Sequence, residues 1–302
     1  MKKIFAVCTL MATAAPAYAV QIANTGIDVY GSLRIMLEQT KDSDDTEYKD
    51  ASSRIGIKGA YDLDEHLSAF AKYEVALDLG NDGDTVGDMR YGHVGLSDDR
   101  YGTLALGKVD SPFYEAVGVA ADYMWWNSAP VYYTLDGVLR VSESVYYSSP
   151  DLNGLKLKAL YQVDDENNAD QEQTQLGATY SIGKLTLGAA FTGTEGSEDL
   201  YGLSAYYSGE GFYINGAYLD RENSGAGLDA ILGIPSGKNL YTLGLSEFSA
   251  DNEGGDFTAA ILAYQRTLHE NVLVWAEFMA WDGSLYGVED SNQLNVGINF
   301  NF

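Results

Sequence analysis

Short runs of alternating apolar and polar residues fill most of the chain. Alternation with period two marks strands whose two faces meet different surroundings. In Ser291 to Phe302, Leu294, Val296, Ile298, Phe300 and Phe302 take one face, and Gln293, Asn295, Gly297, Asn299 and Asn301 take the other. From Gly26 to Glu38, Ile27, Val29, Leu33, Ile35 and Leu37 oppose Asp28, Ser32, Arg34 and Glu38. Leu67 to Asp78 sets Leu67, Ala69, Ala71, Tyr73, Val75 and Leu77 against Ser68, Lys72, Glu74 and Asp78. Leu155 to Val163 sets Leu155, Leu157, Ala159 and Tyr161 against Lys156, Lys158 and Gln162.

The same pattern predicts sixteen strands, at 27–38, 52–61, 67–78, 88–97, 102–109, 142–149, 155–163, 173–181, 185–192, 199–207, 211–220, 226–234, 240–249, 257–267, 272–281 and 292–302. The connections alternate between short turns, such as Asp62–His66 and Ile182–Lys184, and generally longer, more polar loops, such as Gln39–Ala51 and Ala250–Asp256. Short turns on one rim and longer loops on the other is the arrangement of an outer-membrane barrel, and an even strand number puts both ends of the chain on the short-turn rim. A soluble sandwich also alternates, but its outward faces carry the charges; here Leu, Val, Ala, Phe and Tyr repeat opposite Lys, Glu, Asn, Gln and Gly. Tyrosines near strand ends (Tyr73, Tyr91, Tyr161, Tyr180, Tyr207, Tyr218 and Tyr264) suit aromatic girdles at two membrane interfaces. The fold class expected is all-β: a transmembrane antiparallel β-barrel of 16 strands.

One stretch breaks the pattern. Asp110 to Val141 shows no sustained alternation. A connection of this length is functional or disordered, and Phe113, Tyr114, Tyr123, Trp125, Trp126, Tyr132 and Tyr133 argue against disorder. It is expected to pack on something.

The N-terminus is a separate matter. Lys2 and Lys3, the apolar run Ile4 to Ala14 and the small-x-small Ala17-Tyr18-Ala19 read as a signal peptide over residues 1–19, too short for a membrane-spanning helix of about 20 apolar residues. Cys8 does not follow the cleavage signal, so no lipid anchor is expected. Residues 20–302 then form the barrel domain: 283 residues without cysteine, which excludes a disulfide-stapled secreted module. Without Lys2 and Lys3 the balance is 16 basic against 44 acidic residues, a net charge of −28. Such a chain does not seek nucleic acid, whose phosphates need positive surface. With 12% aromatics the acidity does not mean disorder; it fits either a solvated acidic surface or a wet interior that favours cations.

Several stretches resemble the general diffusion porins of Gram-negative outer membranes: DVYGSLR (28–34), SSRIGIKG (52–59), RYGHVGLSDDRYGTLALGKVDSPFY (90–114), SVYYSSPDLNGLKLKALYQV (144–163) and VGINFNF (296–302). The resemblance implies a sixteen-stranded, usually homotrimeric barrel with a water-filled lumen. It implies a third loop folded inward, and Asp110–Val141 follows the fifth predicted strand. It sets wall arginines, matched by Arg34, Arg54, Arg90 and Arg140, against loop acids, for which Glu115, Asp122 and Asp136 are the candidates. In this chain Ser32 stands where the family often has a basic residue, and the loop carries Trp125, Trp126, Tyr132 and Tyr133 in place of an acidic, glycine-rich motif. Lys108 is a lesser candidate wall charge. The terminal Phe302 matches the family's last-strand assembly signal. The partners implied are outer-membrane lipid and lipopolysaccharide, the assembly machinery, two further copies and small hydrophilic solutes.

The expected function is passive diffusion of ions and small hydrophilic solutes with mild cation preference. The alternative is an oligosaccharide channel whose loop aromatics stack on sugar rings. No cofactor or metal is expected. The run Asp42 to Glu47 looks like a calcium loop but lacks its sixth-position glycine and twelfth-position glutamate. No enzyme is expected either: His66 and His269 fall in short turns, and His93 lies mid-strand, facing lipid by its place in the alternation.

Overall fold

The computed structural model describes residues 20–22, 26–41, 43–80, 83, 85–163, 172–252 and 255–302. The signal-peptide reading of 1–19 and part of the acidic run, Asp42, lie outside them.

Sixteen long strands run in order: β1 (Ile27–Thr40), β2 (Arg54–Asp62), β3 (Leu67–Leu77), β4 (Val86–Asp98), β5 (Gly102–Asp110), β6 (Arg140–Ser148), β7 (Leu155–Gln162), β8 (Gln173–Ile182), β9 (Leu185–Thr194), β10 (Leu200–Ser208), β11 (Tyr213–Arg221), β12 (Gly225–Ser236), β13 (Asn239–Ala250), β14 (Phe257–His269), β15 (Val272–Leu285) and β16 (Asn292–Asn301). Each pairs antiparallel with its sequence neighbours, and β16 pairs with β1 from Gln293↔Thr40 to Asn301↔Ser32, which closes the barrel. The seam is extended by Gly31 N to Phe302 O (2.8 Å) and Phe302 N to Gly31 O (3.0 Å). Beyond it, the backbone of Val20–Ile22 pairs with Val29 to Ile27. Closure leaves no sheet edge with unpaired N–H and C=O groups, the condition for a sheet to stand in lipid.

Alternation decides the two faces. Leu33, Leu37, Val94, Leu203, Leu262, Val296 and Ile298 are exposed outward, while Ser32, Arg34, Glu38, Asn295 and Asn299 are buried inward. A continuous outward band of Leu, Ile and Val would be a large apolar surface in water and is the natural face toward acyl chains. Tyr73, Tyr161, Tyr180, Tyr207 and Tyr218 are exposed on this face, Tyr73 and Tyr218 inside their strands and Tyr161, Tyr180 and Tyr207 nearer strand ends.

Tyr91 and His93 are corrections to the girdle and lipid-facing readings. The β3–β4 register passes from Glu74↔Tyr91 to Val75↔Met89, so Arg90 is an extra, bulged residue. A bulge lets neighbouring residues break strict alternation. Arg90 and Tyr91 both point inward, and His93, paired directly with inward Lys72, shares that face. Counting in twos from Arg90 therefore gives the wrong face for Tyr91 and His93. Lys108 is corrected as well: it pairs with Gly92, in the row of exposed Tyr73, away from the arginines.

The outward face is open to a direct test. Leu203→Arg, in the middle of β10 and more than half exposed at 59%, should lower stability in lipid by about 2–4 kcal/mol, read as an earlier midpoint in denaturant unfolding from vesicles.

Candidate functional site

The segment between β5 and β6 is ordered from its own sequence at its start. Ser111 caps a short helix, Pro112–Ala116: its hydroxyl accepts from Tyr114 N (2.9 Å), and Pro112 fills the first turn, where no N–H is needed. The same hydroxyl donates to Val138 O (2.6 Å), and Ser111 N donates to Leu139 O (3.0 Å), tying the two ends of the segment together.

Beyond that neck the segment is held by side chains of the inner face. Gln175 Oε1 on β8 accepts from Phe113 N (3.1 Å), and Ser204 Oγ on β10 donates to Ala116 O (2.6 Å). Glu277 on β15 accepts the N–H groups of Trp125, of Trp126 (3.1 Å) and of Asn127 (2.9 Å). A second helix, Pro130–Thr134, begins at Ala129 with φ 48° and has no side-chain cap of its own. Asp229 on β12 supplies the cap, accepting from Val131 N (3.2 Å) and Tyr132 N (3.3 Å) while Ser246 donates to it at 2.7 Å. Arg221 on β11 donates to Leu135 O (2.8 and 3.1 Å).

The wall is hollowed to receive this segment. A Cβ on Gly188 would stand 2.0 Å from Ala116 O, and one on Gly202 would stand 2.6 Å from the Phe113 ring. Phe113, Ala116, Val117, Ala120, Val131, Tyr132 and Leu135 are fully buried as a result, in one cluster with Leu200, Leu219, Ile261 and Met279 of the wall.

Opposite lies a charged wall on β1 to β6. Arg90 Nε donates to Glu74 Oε1 (2.7 Å), and Tyr30 donates to the other Glu74 oxygen (2.8 Å). Arg140 Nε lies 3.5 Å from Asp110 Oδ1 and over the Tyr91 ring (4.5 Å), whose hydroxyl donates to the same carboxylate at 2.7 Å. Arg54, in register with Ser32 and Ala76, stands in the field of Arg90, Glu74 and Arg140. Arg34 donates from Nε to Ser32 Oγ (2.8 Å) and stacks at 4.9 Å on Trp125.

The four arginines named from sequence thus share the inner face. The loop acids divide. Asp122 accepts from Tyr114 (2.6 Å), and its charge reaches Tyr133 together with those of Arg140 and Arg90. Asp136 is exposed, with φ 51°. Glu115 turns away from the arginines to Lys158 Nζ (3.1 Å) and the Tyr146 hydroxyl (2.7 Å). Burial pushes its carboxyl above the usual carboxylate range, against the pull of Lys158 and Tyr146.

The aromatics divide as well. Tyr132 is buried and its hydroxyl donates to Val138 O (3.0 Å), and Trp125 Nε1 donates to Gln265 (2.8 Å). Trp126 and Tyr133 are exposed. Sequence reasoning missed Glu74 and Asp110, which hold the arginines, and Asp229 and Glu277, which hold the segment. Glu277 had a signal: it is the lone acid in an inward row of Leu273, Trp275 and Met279, all buried.

Glu277→Ala should leave three N–H groups without their acceptor, that of Asn127 buried and those of Trp125 and Trp126 partly buried, at up to about 1–3 kcal/mol for the buried one. The expected outcome is a folded barrel whose segment 123–128 becomes cleavable by protease added to one side of a vesicle.

Known proteins share this architecture. The model of the Gram-negative porin family matches residues 6–301. The putative outer membrane porin protein NmpC of Escherichia coli K12 is 27% identical over 271 residues, 82% of this chain and 67% of that protein. The major outer membrane protein P.IA of Neisseria meningitidis serogroup A is 29% identical over 192 residues, 61% of this chain. The match spans about half of that relative's length, 47%. Among solved structures, Salmonella typhi OmpF in complex with daunomycin superposes with TM-score 0.80 at 16% identity, over 94% of this chain and 100% of that one. The anion-selective porin from Comamonas acidovorans gives 0.77 at 17%, over 91% and 99%. The closed sixteen-stranded barrel, its apolar outer face and a family match over almost the whole chain agree: this chain belongs to the Gram-negative porin family and is a barrel of the outer membrane.

Proposed function

We propose that the barrel is a water-filled channel for passive diffusion of ions and small hydrophilic solutes, with residues 1–19 removed on export. In this reading Asp110–Val141 is the constriction loop. The observation that carries it is a loop fastened at Gln175, Ser204, Asp229 and Glu277 opposite a wall bearing Arg34, Arg54, Arg90 and Arg140. Charge on two sides of a narrow aqueous gap orients water and dipolar solutes and penalises apolar ones. Asp122 and Asp136 are the loop acids of that gap, with Glu115 a buried anchor of the loop's first helix.

The oligosaccharide alternative keeps two of its four aromatics. Trp125 and Tyr132 are committed to internal contacts, which leaves Trp126 and Tyr133 for a sugar ring. An enzymatic reading finds little support in the histidines: His66 pairs with Asp99 in exposed turns (3.0 Å), and His93 bonds the Lys108 carbonyl (2.9 Å). A homotrimer is supported by an apolar recess of about 910 Å³ on the outer face of β2 to β5, bordered by Ile57, Tyr61, Tyr73, Leu96 and Leu104, which a second copy would fill. Phe302 acts as the assembly signal, and lipid, lipopolysaccharide and the assembly machinery are the other partners.

Ion preference is set by a contest of ranges. The net charge of −28 attracts cations from afar, whereas the arginines act only at the gap. The screening length is about 10 Å at 0.1 M salt and 3 Å at 1 M, so added salt weakens the distant charge first. Reversal potentials in planar bilayers should show mild cation preference at 0.1 M that fades toward 1 M. Arg90→Gln should strengthen the cation preference at both. Anion preference at 0.1 M would overturn the assignment, and a saturable block by maltooligosaccharides, weakened by Trp126→Ala, would favour the alternative.

A further inference from the structure

Below the arginines, the inner wall carries a feature that the constriction does not use. Lys58 and Lys72 are directly opposed across β2 and β3, and His93 opposes Lys72 across β3 and β4. The three therefore form one row on the lumen face, four residues from Arg54 along β2 toward the short-turn rim, a distance of about 13 Å. Like charges directly opposite in a sheet destabilise it. A local rule broken without compensation marks a site.

The compensation is incomplete. Lys72 Nζ sits 3.2 Å from the centre of the Tyr91 ring and 5.9 Å from that of Tyr30, and Lys58 Nζ sits 5.5 Å from that of Tyr30. Among the described residues no carboxylate lies within ion-pair distance of either amine. Asp28 shares the row in register with Lys58 without forming a pair. Glu74 and Asp110 reach Lys72 through space, but Glu74 accepts from Arg90 and Tyr30, and Asp110 accepts from Tyr91 and faces Arg140. Ring faces attract ammonium groups without taking their N–H donors in the way a carboxylate does. Two ammonium groups thus keep donors free toward the lumen. His93 donates from Nδ1 to the Lys108 carbonyl. Its Nε2 is left to accept the proton of a monohydrogen or dihydrogen oxyanion.

We propose that Lys58, Lys72 and His93 form an anion subsite on the short-turn side of the constriction, fitted to phosphate and phosphate monoesters. It rests on the channel reading above. Two ammonium groups on directly opposed residues, 5.5 and 5.9 Å from the same Tyr30 ring, can each engage one oxygen of a doubly charged oxyanion, whereas chloride engages them one at a time. The subsite gives phosphate-bearing solutes a binding station in a channel whose overall charge repels them, and a station that binds weakly enough to release supports conduction.

The test is planar-bilayer conductance of the full-length mature barrel at fixed ionic strength, with chloride replaced stepwise by inorganic phosphate or by glycerol phosphate. The expected result is a saturable fall in current with either. In Lys58→Gln/Lys72→Gln, the half-blocking concentration should rise by about tenfold, as two charge-assisted contacts are lost. Lys58→Arg/Lys72→Arg should keep the block, and so should Lys184→Gln, which removes a turn lysine paired with Glu210. A tighter block by the monoester assigns the site to phosphorylated solutes, and a tighter block by phosphate assigns it to the free ion. No saturable block, or an equal block in the glutamine variant, would overturn the subsite. Loss of block in the arginine variant would also overturn it, by assigning the lysines a structural role. A barrel that inserts but passes no current would fault the channel reading instead.

Discussion

A loop inside a barrel must satisfy its own backbone, and this constraint organises the interior. Within a sheet every N–H has a strand partner. In the segment 111–139 most do not, and unpaired buried backbone groups are costly. Two buried carboxylates meet the need, Glu277 with three N–H groups and Asp229 with two. Each carboxylate substitutes for part of a ladder. The second helix has no capping residue of its own and is capped by the wall. The loop's conformation is therefore a property of the barrel as much as of its own sequence.

The opposite wall solves a different problem. Its cations stand close together, and among the described residues several have no carboxylate within ion-pair distance. Rings of Tyr30, Tyr91 and Trp125 take part of the load. Glu74 and Asp110 hold Arg90 and Arg140 in place. The bulge at Arg90 is what brings Arg90, Tyr91 and His93 to the same face. An extra residue in one strand re-aims side chains without changing the fold, and here it thickens the charged wall.

Much of this was legible beforehand for a specific reason. Strands that separate lipid from water must alternate, and all sixteen were found to within a few residues. The four arginines were named through the resemblance, by matching them to the family's wall positions, and their inward direction agrees with charge on a spanning strand facing the lumen. The faces of Tyr91 and His93 were not legible, because a bulge leaves no mark in composition. Nor was the pairing of Glu115 with Lys158, which joins residues 43 positions apart through the loop's fold.

The amino-acid sequence by itself determined the barrel, its strand number, its two faces and the position of the irregular segment, since each follows from local alternation and its interruption. Only the tertiary structure decided what that segment rests on, which acids hold it, which arginines are paired and which lysines share one row of the inner wall. Those are matters of register and distance across the lumen. Strands far apart in sequence meet there, and nothing in the local pattern records which residues will face each other.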